Sequence, residues 1–129
     1  MAVALPPLLK VLALLRRHQD IRVVLRALDH PVTDRQPTNK EQQQVVRGVR
    51  WLLRLLRIRT GGNCLPRSLT IFTMLRRRGY PVVFCSGVRK EGAKLQGHAW
   101  VELDGRVLEE LKEPDNPQRY RVNVRYPQS

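Results

Sequence analysis

"GGNCLPRSLTIFTMLRRRG", residues 61–79, sets one cysteine at the mouth of a helix, with two glycines before it and one after it. Pro66 offers a fixed φ at an early helical position, where a missing N–H costs nothing. Leu65, Leu69, Phe72 and Leu75 recur at helical spacing and predict its apolar face. Arg76, Arg77 and Arg78 fall at the negative end of the helix dipole, and Gly79 supplies the stop. Cys64 then stands where the free amides and the positive dipole end point, a location that favours thiolate over thiol and lowers a cysteine pKa from its usual ~8.5. A packing cysteine needs no such mount, whereas a reactive one does.

Beyond Gly79 the hydrophobic period changes. "YPVVFCSGV", "GHAWVEL", "RVLEEL" and "RYRVNVRY" are short β-branched and aromatic runs, separated by "RKEGAKLQ", "DG" and "KEPDNPQ". They predict an antiparallel sheet of about four strands. In the last run Tyr120, Val122, Val124 and Tyr126 alternate with Arg121, Asn123 and Arg125, which predicts one apolar face. Helices first and strands second make the expected class α+β.

On the other side of the cysteine, Leu8, Val11, Leu12 and Leu15, then Ile21, Val24, Leu25 and Leu28, predict one or two amphipathic helices between Pro7 and about Leu28. "DHPVTDRQPTN" breaks that pattern. Thr38 to Glu41 forms a T-x-x-E capping box, so a long helix should start near Asn39, burying Val45, Val49, Leu52, Leu53 and Leu56. Arg47, Arg50, Arg54 and Arg57 line another face, which is either solvated or a docking surface for an acidic partner.

At 129 residues, 42% of them hydrophobic and 27% charged, the chain is expected to be a single globular domain over 1–129. Within it 1–60 is a helical subregion, and 61–129 carries the cysteine helix and the sheet. The formal charge of +13 attracts nucleic acid, anionic membrane or an acidic polypeptide without choosing among them. Lys10 interrupts "VALPPLLKVLALL", so neither a signal peptide nor a spanning helix is expected, and a cytoplasmic location follows as the expectation. Two cysteines, Cys64 and Cys85, allow at most one disulfide, and with His98 they fit no closed zinc spacing. Neither a metal nor an organic cofactor is therefore expected. Cys85 sits within the apolar "VVFCSGV" and reads as a buried, inert thiol.

A base for Cys64 should come from a separate element packed against the helix start. Of the three histidines, His18 and His30 lie in charged or turn-rich surroundings that suggest exposure, and only His98 lies in a strand, "GHAW". Trp100 should share its face and could shield the imidazole. A third group should accept a hydrogen bond from the other ring nitrogen. If "ELDGR" is a hairpin with the three-residue loop Leu103-Asp104-Gly105, Glu102 pairs with Arg106 and Glu110 lies across from His98. A two-residue Asp-Gly turn shifts the register by one and gives Glu109 that face instead.

"CLPRSLTIFTMLRRRGYPVVFCSGV" followed by "GHAWVELDGRVLEE" resembles the cysteine leader-peptidase component of lasso-peptide biosynthesis, itself similar to the transglutaminase-like branch of the papain-like fold. The resemblance covers roughly residues 62–111 and rests on Cys-Leu-x-Arg, a basic helix end closed by Gly, and His-Ala-Trp-Val-Glu-x-x-Gly. It implies a catalytic triad of Cys64 as nucleophile, His98 as general base and acid, and an acidic residue 12 positions after the histidine, here Glu110. The family usually has Asp there, and related triads use either acid. In the family's fused form a small leader-recognition domain precedes the protease, and no strand-rich segment before residue 60 is read here to supply it, so the split form is expected. The partners would then be a precursor leader peptide, a separate leader-recognition protein and, as a further candidate, the lasso cyclase. Arg47, Arg50, Arg54 and Arg57 would supply the contact surface.

The expected chemistry is amide hydrolysis through an acyl-enzyme, with the Cys64 backbone N–H as one oxyanion donor and Gln96 or Asn63 as candidates for the second. Two other classes stay open: a transferase on the same triad, and a basic nucleic-acid-binding module. Aromatics make up only 5% of the chain and do not interleave with the basic residues, so nucleic acid is not the expected partner.

Overall fold

The computed structural model describes residues 4–33, 38–56, 64–108 and 120–127, with the backbone alone at Asn39 and Cys64. Helices α1 (Leu5–Arg17), α2 (Ile21–Leu28), α3 (Asn39–Leu56) and α4 (Cys64–Arg77) precede strands β1 (Val83–Glu91), β2 (Lys94–Leu103), β3 (Arg106–Val107) and β4 (Arg121–Tyr126). The strands form one antiparallel sheet in the order β3-β2-β1-β4, so the α+β expectation holds.

The helix starts follow from side chains. Asp20 accepts the Arg22 amide ahead of α2 at 3.0 Å, and Thr38 Oγ1 accepts the Glu41 amide in α3 at 3.2 Å. The Glu41 carboxylate takes a guanidinium N–H of Arg78 at 2.7 Å, tying the start of α3 to the end of α4. Val45, Val49, Leu52 and Leu53 are buried as expected, joined by Val46. Leu56 departs from the expectation: as the last residue of its helix it stays 44% exposed.

α4 touches α1, α2, α3, β1 and β2, and from Leu69 to Arg76 every residue is buried. It is thus a central helix rather than the one-faced helix its leucine spacing suggests. Its polar residues tolerate this because they bond carbonyls: Thr70 Oγ1 donates to Pro66 O at 2.7 Å and Thr73 Oγ1 to Leu69 O at 2.8 Å. Arg76 is only 4% exposed; it pairs with Asp29 at 3.5 Å and lies over the Phe72 ring. The C-terminus closes as a Schellman motif, with Tyr80 N–H on Leu75 O and Gly79 N–H on Arg76 O. Gly79 is at φ +85°, and a Cβ there would fall 2.2 Å from Thr33 Oγ1.

Three sheet expectations need correction. "RKEGAKLQ" is no long separator, because both strands run through it to the two-residue turn Gly92–Ala93. At the second hairpin Leu103 pairs with Arg106 and Glu102 with Val107, around a two-residue turn in which Asp104 (φ 52°) and Gly105 (φ 78°) are both left-handed. The three-residue loop is therefore not formed. Finally, the last strand does not present one apolar face. A bulge at Asn123, between the pairs Ser86↔Val124 and Gly87↔Val122, switches its sides. Val124 and Tyr126 pack into the helix-side core with Phe84, Ala99 and Val101, whereas Tyr120 joins Cys85 and Trp100 on the opposite face.

Candidate active site

Cys64 opens α4, a helix of 14 residues, as the sequence predicts; its side chain lies outside the described atoms. Ser68, one turn further along, donates its hydroxyl to Ala99 O at 3.0 Å. That bond fixes the first turns of α4 on β2, at the residue beside His98. Ser68 is a contact the sequence analysis missed, since a serine in a helix gives no sign of its partner.

His98 is 7% exposed and stands across β1 from Gly87. Its imidazole forms a three-ring cluster with two aromatics, stacked on Trp100 (centroids 5.8 Å, 23° between planes) and tilted on Tyr120 (5.2 Å, 32°), which also meet each other at 6.3 Å. The Arg89 guanidinium lies over the Tyr120 ring at 5.2 Å. At the other end, Trp100 Nε1 donates to Glu102 at 2.8 Å, and Glu102 also accepts from Arg125 at 3.2 Å. The expected sharing of a face by His98 and Trp100 is observed, and both rings pack against the imidazole. In a chain with only 5% aromatic residues, these two meet at the one strand histidine.

The opening for Tyr120 is made by Gly87, which sequence analysis passed over. A Cβ there would lie 2.8 Å from Arg121 O and 3.1 Å from Tyr120 Cβ. A glycine inside a β-branched run is itself a signal of a bulge or a close backbone approach, and "CSGV" carried it. Gly87→Ala is expected to cost about 1–3 kcal/mol through overpacking against a backbone carbonyl. Thermal unfolding checks this, as a melting temperature several degrees lower.

The imidazole lies on the sheet face opposite Ala99 and Val101, which belong to the helix-side core. Among the described residues, β2 at His98 pairs only with β1; β3 meets it at Glu102 and Leu103, and Leu108 N–H reaches Val101 O. The edge of β2 beside His98 is thus without a described strand partner.

Glu109 and Glu110 fall outside the described residues. The register that set Glu110 across from His98 is not the observed one; the observed two-residue turn is the case in which Glu109 takes that face. Asn63 and Arg57 are also outside the described residues. Gln96 Oε1 accepts from Arg89 at 3.0 Å, which ties the side chain to β1 through its oxygen. His18 and His30 are half-buried rather than exposed, and a ring nitrogen of His30 bonds Leu28 O.

Cys85 is fully buried against Trp100 and Tyr120. Burial first, then the Glu102 charge, push its thiol from 9.0 up to about 12, so it is protonated and inert at neutral pH. Because the folded state holds this proton more tightly than the unfolded chain, the associated stability is complete below about pH 9 and is lost as pH rises from there toward 12. Unfolding free energy should fall there by up to ~1.4 kcal/mol per pH unit, and Cys85→Ala should flatten that slope in denaturant titrations.

No group of His, Cys, Asp and Glu that could hold a metal ion occurs among the described residues, and no described helix is long and apolar enough to cross a membrane. A helix whose first residue is cysteine, set against an antiparallel sheet whose second strand carries "HAW", defines a fold of the cysteine-peptidase and acyltransferase type. The chain belongs to the transglutaminase-like superfamily, whose family model matches residues 4–125. No curated protein and no solved structure gave a significant match.

Proposed function

We propose that this protein is a cysteine peptidase that removes the leader from a ribosomally made lasso-peptide precursor. Cys64 is the nucleophile, His98 its general base and acid, and the acid that orients the imidazole is Glu110, twelve positions after His98 as the resemblance implies, or Glu109, which the register of the observed two-residue turn favours. The observation that carries the proposal is the bond from Ser68 to Ala99 O, one turn from Cys64 and one residue from His98. In this reading the sulfur and the imidazole meet at the edge of β2 beside His98, which has no strand partner among the described residues. His98 takes the Cys64 proton, the thiolate attacks the last leader carbonyl, and the amine of the core peptide leaves with that proton. Water, deprotonated by His98, then releases the leader as a free acid. The Cys64 backbone N–H at the helix start is one donor to the oxyanion.

Superfamily membership and the "HAWVEL" strand support the chemistry, while the choice of a lasso precursor rests on the sequence resemblance alone. A separate leader-recognition protein would dock on the arginine face of α3. Arg47 and Arg54 are exposed there, and Arg47 and Arg50 line a cleft of about 220 Å³ with Arg106.

The test is to incubate the protein with a candidate precursor, with and without a recognition protein, and read the masses. Leader ending in a free acid supports hydrolysis. A mass adduct supports the transferase alternative on the same residues. No trimming in any combination by folded protein overturns the proposal. DNA binding that falls with salt and survives Cys64→Ala would favour the basic-module alternative instead.

A further inference from the structure

Immediately beside Cys64 lies an open groove of about 710 Å³, formed where the α1–α2 turn faces the start of α4. Its apolar lining is Leu12, Leu15, Ile21 and Leu65, all only partly buried and packed on the main core, with Pro66 beside them. Among the described residues no acidic side chain lines it, and Arg16 stands exposed in its lining. Leu65 and Pro66 are the two residues that follow Cys64, so the groove wall begins about 3.8 Å, one Cα step, from the nucleophile's backbone.

We infer that this groove is the subsite for a substrate peptide carrying an aliphatic side chain within two residues of the scissile bond and a carboxylate next to it. The inference rests on the peptidase proposal for the identity of the bond cut, but not for the binding itself. A chain bound with its carbonyl at the α4 N-terminus passes Leu65, and among the described residues this lining offers apolar surface to one of its side chains. Burying a leucine side chain there removes it from water and covers aliphatic surface on the protein, which is worth roughly a tenfold change in affinity or more. The adjacent carboxylate meets Arg16 across the rim, a contact that weakens with salt.

The probe is N-acetyl-Glu-Leu-amide, titrated into the full chain labelled with ¹³C at Leu, Ile and Val methyls. Expected are shifts at Leu15, Ile21 and Leu65, binding at least ~10-fold weaker for N-acetyl-Glu-Ser-amide, and a preference reversed toward N-acetyl-Lys-Leu-amide in Arg16→Glu. Arg16 is exposed, so that variant leaves the fold intact. Equal binding of the leucine and serine peptides, or shifts centred on methyls elsewhere, overturns the subsite. Alkylation of Cys64 by iodoacetamide is measured in parallel on the same sample. A groove that binds beside a sulfur of ordinary reactivity removes the peptidase proposal and keeps the subsite; the converse result removes the subsite alone.

Discussion

Cys64→Ala is expected to lower precursor trimming by at least roughly 10³-fold while leaving the melting temperature within a few degrees of the parent. A nucleophile supplies a bond that nothing else in the site replaces, and in enzymes acting through a covalent intermediate its removal alone costs about as much as removing the whole triad. The fold should be indifferent, because the helix start is held by Ser68 on Ala99 O and by the leucines of the following turns. Serine at the same position is expected to be nearly as inactive, since a hydroxyl is far less acidic than a thiol and the helix dipole is too weak to ionise it. Mass analysis of the precursor after incubation gives the rate, and circular dichroism the fold.

The second large effect is expected at Trp100. It is 1% exposed, stacked on His98 and anchored through Nε1 to Glu102. Truncation to alanine opens a cavity in the face that holds the imidazole and should cost about 3–5 kcal/mol, a large part of the 5–15 kcal/mol of a typical domain. Trp100→Phe keeps a ring beside His98 but leaves Glu102 without its indole donor. It should therefore recover most of the stability while shifting the pH dependence of trimming, because the imidazole then packs against a smaller, less well-anchored ring. Chemical denaturation separates the two variants in stability, and a pH–rate profile separates them in function.

Much of this architecture was written in local signals. Pro66 and Gly79 bracket α4 because each has a backbone preference that few other residues share, and the β-branched runs after Gly79 can hardly be anything but strands. What stayed hidden depends on partners distant in the chain or on a single dihedral angle. "ELDGR" accommodates either a two- or a three-residue loop; the left-handed φ of Asp104 decides, and with it the register of every later residue. The alternation from Tyr120 to Tyr126 suggests one apolar face, yet one extra residue at Asn123 sends Tyr120 to His98 and Tyr126 to the helix side. Ser68, Thr70, Thr73 and Arg76 look like a polar flank of α4, but carbonyl acceptors and Asp29 satisfy them in the interior. Cys64 and a strand histidine were legible as candidates because both stand at positions with a chemical meaning, whereas the aromatic cluster around the imidazole needed the sheet's register.

The most direct measurement is the rate of Cys64 alkylation by iodoacetamide as a function of pH, in the parent and in His98→Ala. Cys85 contributes nothing while the protein is folded, since its buried thiol ionises only near 12. A sulfur coupled to the imidazole at a helix start should react at a plateau rate well below pH ~8.5, and His98→Ala should shift the profile upward, toward that of an ordinary thiol, leaving only the part due to the helix start. Superimposable profiles in the two proteins, both rising about the ordinary thiol pKa, would contradict the pairing of Cys64 with His98.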